Sequence, residues 1–198
     1  MKKAFSLVEI SFVLFVLAAV LFAVVPFSLS NVKQARFISE WKNYMEQISY
    51  SFETLEEYKR ENDLDEKASV KRLMHYLDAE LLTDKSYLNQ YRYKMMNGNF
   101  YKKMNINKFD EIYMTPDGNL MGVEYSIGSS PYATVWTDLN GKKKPNIVGN
   151  DIFIFEIYKN SIVPYGKGVK FESMRSDCSK SGTGMFCSQY YILGGDLK

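Results

Sequence analysis

Two lysines, Lys2 and Lys3, stand ahead of an apolar run from Ile10 to Phe27, and one acidic residue, Glu9, sits at the entrance to that run. A bilayer is crossed by about 20 apolar residues, and this stretch has that length. A carboxylate within such a span costs about 2.5–3.5 kcal/mol on insertion scales, so a segment that keeps one is expected to pair it. The run therefore has to be housed away from water, and Glu9 has to be accommodated with it.

Two ordinary readings of the segment are incomplete. A secretory signal peptide has an apolar core of about 7–15 residues followed by a small-residue cleavage site. Here the run is longer, and Ser28, Leu29, Ser30 and Asn31 lead straight into helical sequence. A plain single-span anchor fits the length. It leaves both Glu9 and the placement of Ala4 ahead of the apolar run without a purpose.

The stretch Ala4-Phe5-Ser6-Leu7-Val8-Glu9 resembles the processing and methylation motif of type IV prepilins and type II secretion pseudopilins. In that family a short basic leader ends in a small residue, usually Gly where this chain has Ala4. The resemblance implies cleavage by prepilin peptidase between Ala4 and Phe5, and N-methylation of Phe5. It makes Glu9 the fifth mature residue and Pro26 the proline that disturbs the helix in many members. Cleavage would create an ammonium on Phe5, and in a filament the Glu9 carboxylate of one subunit can face the Phe5 ammonium of the next. Such a pair sets register because either charge alone in an apolar core is costly. The resemblance also implies the partners: identical or related pilin subunits, the peptidase, and an inner-membrane assembly platform.

Lys2 and Lys3 favour a cytoplasmic N-terminus, with the rest of the chain outside the cytoplasm, first on the membrane and then in a surface pilus or periplasmic pseudopilus. The chain carries 25 basic and 23 acidic side chains, and loss of the leader leaves 23 of each. That balance argues against nucleic acid as an electrostatic partner.

Val32, Phe37, Ile38, Trp41, Tyr44, Met45, Ile48, Phe52, Leu55 and Tyr58 recur at helical steps, so an amphipathic helix is predicted to continue to Asn62-Asp63. Pro26 is predicted to bend it. A second helix is predicted over Glu66–Leu82. Strands are predicted at Asn99–Asn105, Glu111–Met114, Leu120–Ser126, Thr134–Leu139, Ile152–Tyr158 and Phe186–Leu193, separated by Gly, Pro and Asn turn signals. The expected architecture is α+β and pilin-like: leader 1–4, membrane or filament-core segment 5–27, amphipathic continuation 28–62, and a globular head 63–198 built on an antiparallel sheet.

Cys178 and Cys187 are the only cysteines, and export favours a disulfide between them over a metal-bound or nucleophilic thiol. The segment from Trp136 to Phe153 carries oxygen side chains at Asp138, Asn140 and Asp151, which with nearby carbonyls can surround calcium. It loosely resembles the calcium loop of major pseudopilins. Lys142, Lys143 and Lys144 weaken a cation site, and the other reading is a wide turn opened by Asn140-Gly141 and shaped by Pro145. With one histidine, His75, read as a surface residue, and no phosphate loop or nucleophile elbow, no catalytic role is expected. A membrane-anchored binding protein that never enters a filament is the alternative to a filament subunit.

Overall fold

The computed structural model of the chain describes residues 7–88, 91–105 and 109–196; the side chains of residues 23–31, Tyr87 and residues 101–105 lie outside that description. Helix α1 runs Leu7–Glu61 and helix α2 Glu66–Tyr76. Strands β1 (Glu80–Leu81), β2 (Arg92–Lys94), β3 (Phe100–Asn105), β4 (Glu111–Met114), β5 (Leu120–Tyr125), β6 (Ala133–Asp138), β7 (Ile152–Tyr158) and β8 (Ser161–Pro164) follow, then helices α3 (Phe171–Asp177) and α4 (Cys187–Ile192). The fold is α+β, with a six-stranded antiparallel sheet in the order β1-β4-β5-β6-β7-β8 and a separate β2–β3 ribbon.

The chain divides into two units, residues 1–36 and 37–196. In the first, every described side chain from Leu7 to Phe22 is exposed. The α1 backbone is helical through Pro26, whose side chain, and with it the expected bend, lies outside the description. Among the described residues no helix is long and apolar enough to cross a membrane. The division at residue 36 assigns the last part of α1 to the head.

In the second unit both faces of the sheet are covered, and strand pleat decides which residue goes where. On one face the predicted stripe of α1 is buried at Ile38, Trp41, Tyr44, Met45, Ile48, Phe52 and Leu55. Trp41 stacks on Phe153 of β7 with ring centroids 4.9 Å apart, and the Tyr44 hydroxyl lies 3.1 Å from the sulfur of Met121 on β5. Residues of opposite parity (Leu120, Trp136, Ile152 and Ile154) join Leu88, Tyr91, Tyr93 and Phe109 in a second cluster. A Cβ on Gly122 would run into the Phe109 ring, so glycine is required where that ring crosses the strand. Two-sided burial explains why β7 reads Ile-Phe-Ile-Phe rather than alternating with polar residues.

The predicted second helix stops early. Its N-terminus is capped by Asp65, which accepts from the Ala68 amide at 2.6 Å, but Leu77 is its C-cap and Asp78 turns to φ 52°. Leu81 therefore leaves the helix for strand β1, where it is exposed. The predicted strand Phe186–Leu193 is instead helix α4. Its aromatic composition suits a strand, but Tyr190 and Tyr191 are buried by packing against Phe171 and Phe153. Strands β1, β2 and β8 and helix α3 were not predicted.

Ser188 of α4 joins three elements. Its hydroxyl accepts from the Ile154 amide at 2.7 Å, and its carbonyl accepts from the Trp41 indole at 2.9 Å. Replacing Ser188 with Ala strands a buried amide on β7, so urea unfolding is expected to show a loss of about 1–3 kcal/mol. A variant as stable as wild type would show that this bond does not tie α4 to the sheet.

Candidate functional site

The predicted N-terminal residues and the predicted loop residues belong to different units and are taken separately. Ala4 and Phe5 lie outside the described residues. Glu9 is exposed and stands in the first described turn of α1. Around it the helix is apolar on all sides: Leu7 is 83%, Phe12 68% and Phe22 84% exposed. The Ser11 hydroxyl donates back to the Leu7 carbonyl at 2.9 Å and so hides its own polarity.

Asp138, Asn140 and Asp151 do meet. Asp138 ends β6 and Asp151 immediately precedes β7, and the register pairing Asp138 with Ile152 sets both carboxylates at one mouth of the hairpin. Asp138 shares its parity with Trp136, so it points into the aromatic cluster and is fully buried, as is Asp151. Leu139 closes the mouth by donating to the Asp151 carbonyl at 2.9 Å.

Each carboxylate is held by donors of the chain. Asp151 accepts from the Ile147 amide at 2.7 Å, the Asn146 amide at 2.8 Å and the Asn140 side-chain nitrogen at 2.9 Å. Asp138 accepts from the Asn140 amide at 3.1 Å and from the Tyr91 hydroxyl. That hydroxyl also touches the Gly141 carbonyl and lies 3.2 Å from the side-chain oxygen of Asn146. Strand β2 holds the same loop by its backbone: Lys94 donates to the Asn146 carbonyl at 2.9 Å and accepts from Val148 at 2.8 Å. Lys142, Lys143 and Lys144 are exposed at the loop tip.

The expected disulfide between Cys178 and Cys187 is present, with 5.1 Å between α-carbons. Its loop is stapled by Asp177, which accepts from the Thr183 amide and hydroxyl at 2.8 and 2.6 Å and from the Phe186 amide at 2.9 Å. The same loop supports the carboxylate loop from beside. A Cβ on Gly149 would strike the sulfur of Cys187, and Met96 and Asn97 donate to the carbonyls of Thr183 and Gly182.

Tyr91, Tyr93 and Asn146 are the site residues that sequence reasoning missed. The signal for the two tyrosines was the alternation Tyr91-Arg92-Tyr93-Lys94, which leads into the three-residue strand β2 and is too short to stand out. His75 is exposed on α2, as expected. Among the described residues no group of three or more His, Cys, Asp or Glu side chains is placed to hold a metal ion, so a cation at this loop would draw on amide and carbonyl oxygens. What the arrangement does chemically is surround two buried carboxylates with hydrogen-bond donors of the chain. No family model, no curated protein and no solved structure matches the chain.

Burial, and then the neighbouring Asp151 charge, push the Asp138 carboxyl above its ordinary range, and burial raises Asp151 too. A carboxyl raised in the folded state contributes stability that is fully present below its unfolded pKa of about 3.9 and is lost as pH rises through the folded value. Asn at position 138 removes that dependence. Relative to wild type, Asp138→Asn is expected to gain stability from mildly acidic to neutral pH, in urea unfolding across a pH series. A gap that stays constant with pH would rule out titration of Asp138 in this window.

Proposed function

We propose that the chain is a structural subunit of a type IV pilus-like or type II secretion pseudopilus filament. In this reading prepilin peptidase cuts between Ala4 and Phe5, and assembly proceeds through the N-terminal helix. The observation that carries the reading is the sequence Ala4-Phe5-Ser6-Leu7-Val8-Glu9 joined to a helix whose described residues Leu7–Phe22 are exposed and almost wholly apolar. A helix apolar on every side has to be covered by lipid or by other protein. The membrane serves that need before assembly, and neighbouring subunits serve it afterwards.

The register pair follows from the same chemistry. Glu9 belongs to one subunit and the new Phe5 ammonium to another, and the two charges satisfy each other only at one stagger of the helices. The second unit, with its covered sheet, disulfide and carboxylate loop, is the folded part of such a subunit. The localisation is an inner-membrane single-pass state with an extracytoplasmic head, followed by a surface pilus or a periplasmic pseudopilus.

Mass spectrometry of the protein from expressing cells tests the processing step. The expected mature chain begins at Phe5 and is about 14 Da heavier than its sequence, the increment of one methyl group. An intact Met1 would instead favour the membrane-anchored binding protein. With processing established, Glu9→Ala is expected to leave the head folded and to reduce recovery in sheared filaments by about tenfold or more, the scale of losing a partner for a charge in an apolar core. Wild-type recovery of this variant would remove the register pair from the reading.

A further inference from the structure

Calcium takes six to eight oxygen ligands at about 2.3–2.6 Å and sits where those oxygens converge. In the loop between β6 and β7, oxygens from the Asp138 carboxylate, the Gly141 carbonyl and the Asn146 side chain do converge. The atom at their meeting point is the phenolic oxygen of Tyr91. Tyr91 is 8% exposed, and the segment carrying it is pinned to the loop by both backbone bonds of Lys94.

The other carboxylate oxygens are committed in the same manner. Both oxygens of Asp151 accept N–H groups, one of them from two donors, and the second oxygen of Asp138 accepts the Asn140 amide. An ionised carboxylate only accepts, so the Asn140 amide presents its nitrogen to Asp151 and turns its oxygen away. These donors occupy the carboxylate lone pairs that a cation would need, while the Asn140 side-chain oxygen is left buried without a hydrogen-bond partner. Three exposed lysines at the tip add repulsion.

We infer that the Tyr91 hydroxyl stands where a cation would sit, so that this loop is closed by the chain's own O–H and N–H groups and needs no calcium. The inference departs from the calcium loop that the sequence resemblance brings to mind, and it concerns the head alone, whatever the fate of the filament reading. One consequence is mechanical. An ion would tie only the residues of its own loop, whereas Tyr91 ties that loop to β2, a separate part of the chain.

The test is thermal unfolding of the full-length chain in detergent micelles, with EDTA, with millimolar calcium chloride, and with millimolar magnesium chloride. Wild type is expected to unfold at one temperature, within about a degree, in all three, because an ion that binds only the folded state would raise Tm with its concentration. Tyr91→Phe removes the hydroxyl alone and is expected to lower Tm by about 3–8 °C in every buffer. A wild-type Tm that rises with calcium and falls with EDTA would overturn the inference, as would a Tyr91→Phe variant that melts with wild type. Should Tyr91→Phe fail to fold, the loss exceeds the expected range and the wild-type comparison decides the calcium question alone.

Discussion

Strand β7 is flanked by β6 and by the edge strand β8, and its side chains have no solvent-facing half until Glu156. Phe153 takes the Trp41 ring of α1 on one face, while Ile152 and Ile154 enter the aromatic cluster on the other. Burying each of these large side chains contributes about 1.5–3 kcal/mol. The two layers are therefore coupled through the strands between them, β5 as well as β7. Ser188 completes the arrangement at the strand's free amide, where α4 takes over the bonding partner that β8 no longer supplies.

The carboxylate loop follows from that two-sided burial. Pleat alternation puts Asp138 on the same face as Trp136, so a charged residue at the strand's end is carried into an apolar layer. A buried carboxylate is tolerated only with hydrogen-bond donors or a counter-charge around it. The structure meets this need with amides of the loop and with one hydroxyl from outside it. The disulfide loop then fills the space beside Gly149, so three irregular segments hold one another in place without regular secondary structure.

Much of this was legible in the chain because periodicity reports burial directly. The α1 stripe from Ile38 to Leu55, the five strands from Phe100 to Tyr158 and the cysteine pair all came from local patterns. Where local and tertiary preferences disagreed, local pattern misled. The aromatic run around Tyr190 favours a strand in isolation, yet it sits in a short helix because Cys187 is tethered, Ser188 is bonded to β7, and Tyr190 and Tyr191 pack on Phe171 and Phe153. Leu77 and Leu81 continue the apolar spacing of α2, but Asp78 leaves the helix and carries Leu81 to the sheet edge. Asp138, Asn140 and Asp151 were legible as a set of oxygens; their partner Tyr91 was not.

The sequence by itself determined that the N-terminal stretch is an apolar run behind one carboxylate and that an α+β fold follows it. Both are consequences of where apolar residues fall along the chain, which a linear pattern records. Only the tertiary structure decided how the two buried carboxylates are satisfied. That depends on which atom from a distant segment arrives between them, and Tyr91 precedes Asp138 by 47 positions. No periodicity encodes such a meeting, because the strand register and the packing of the aromatic layer set it together.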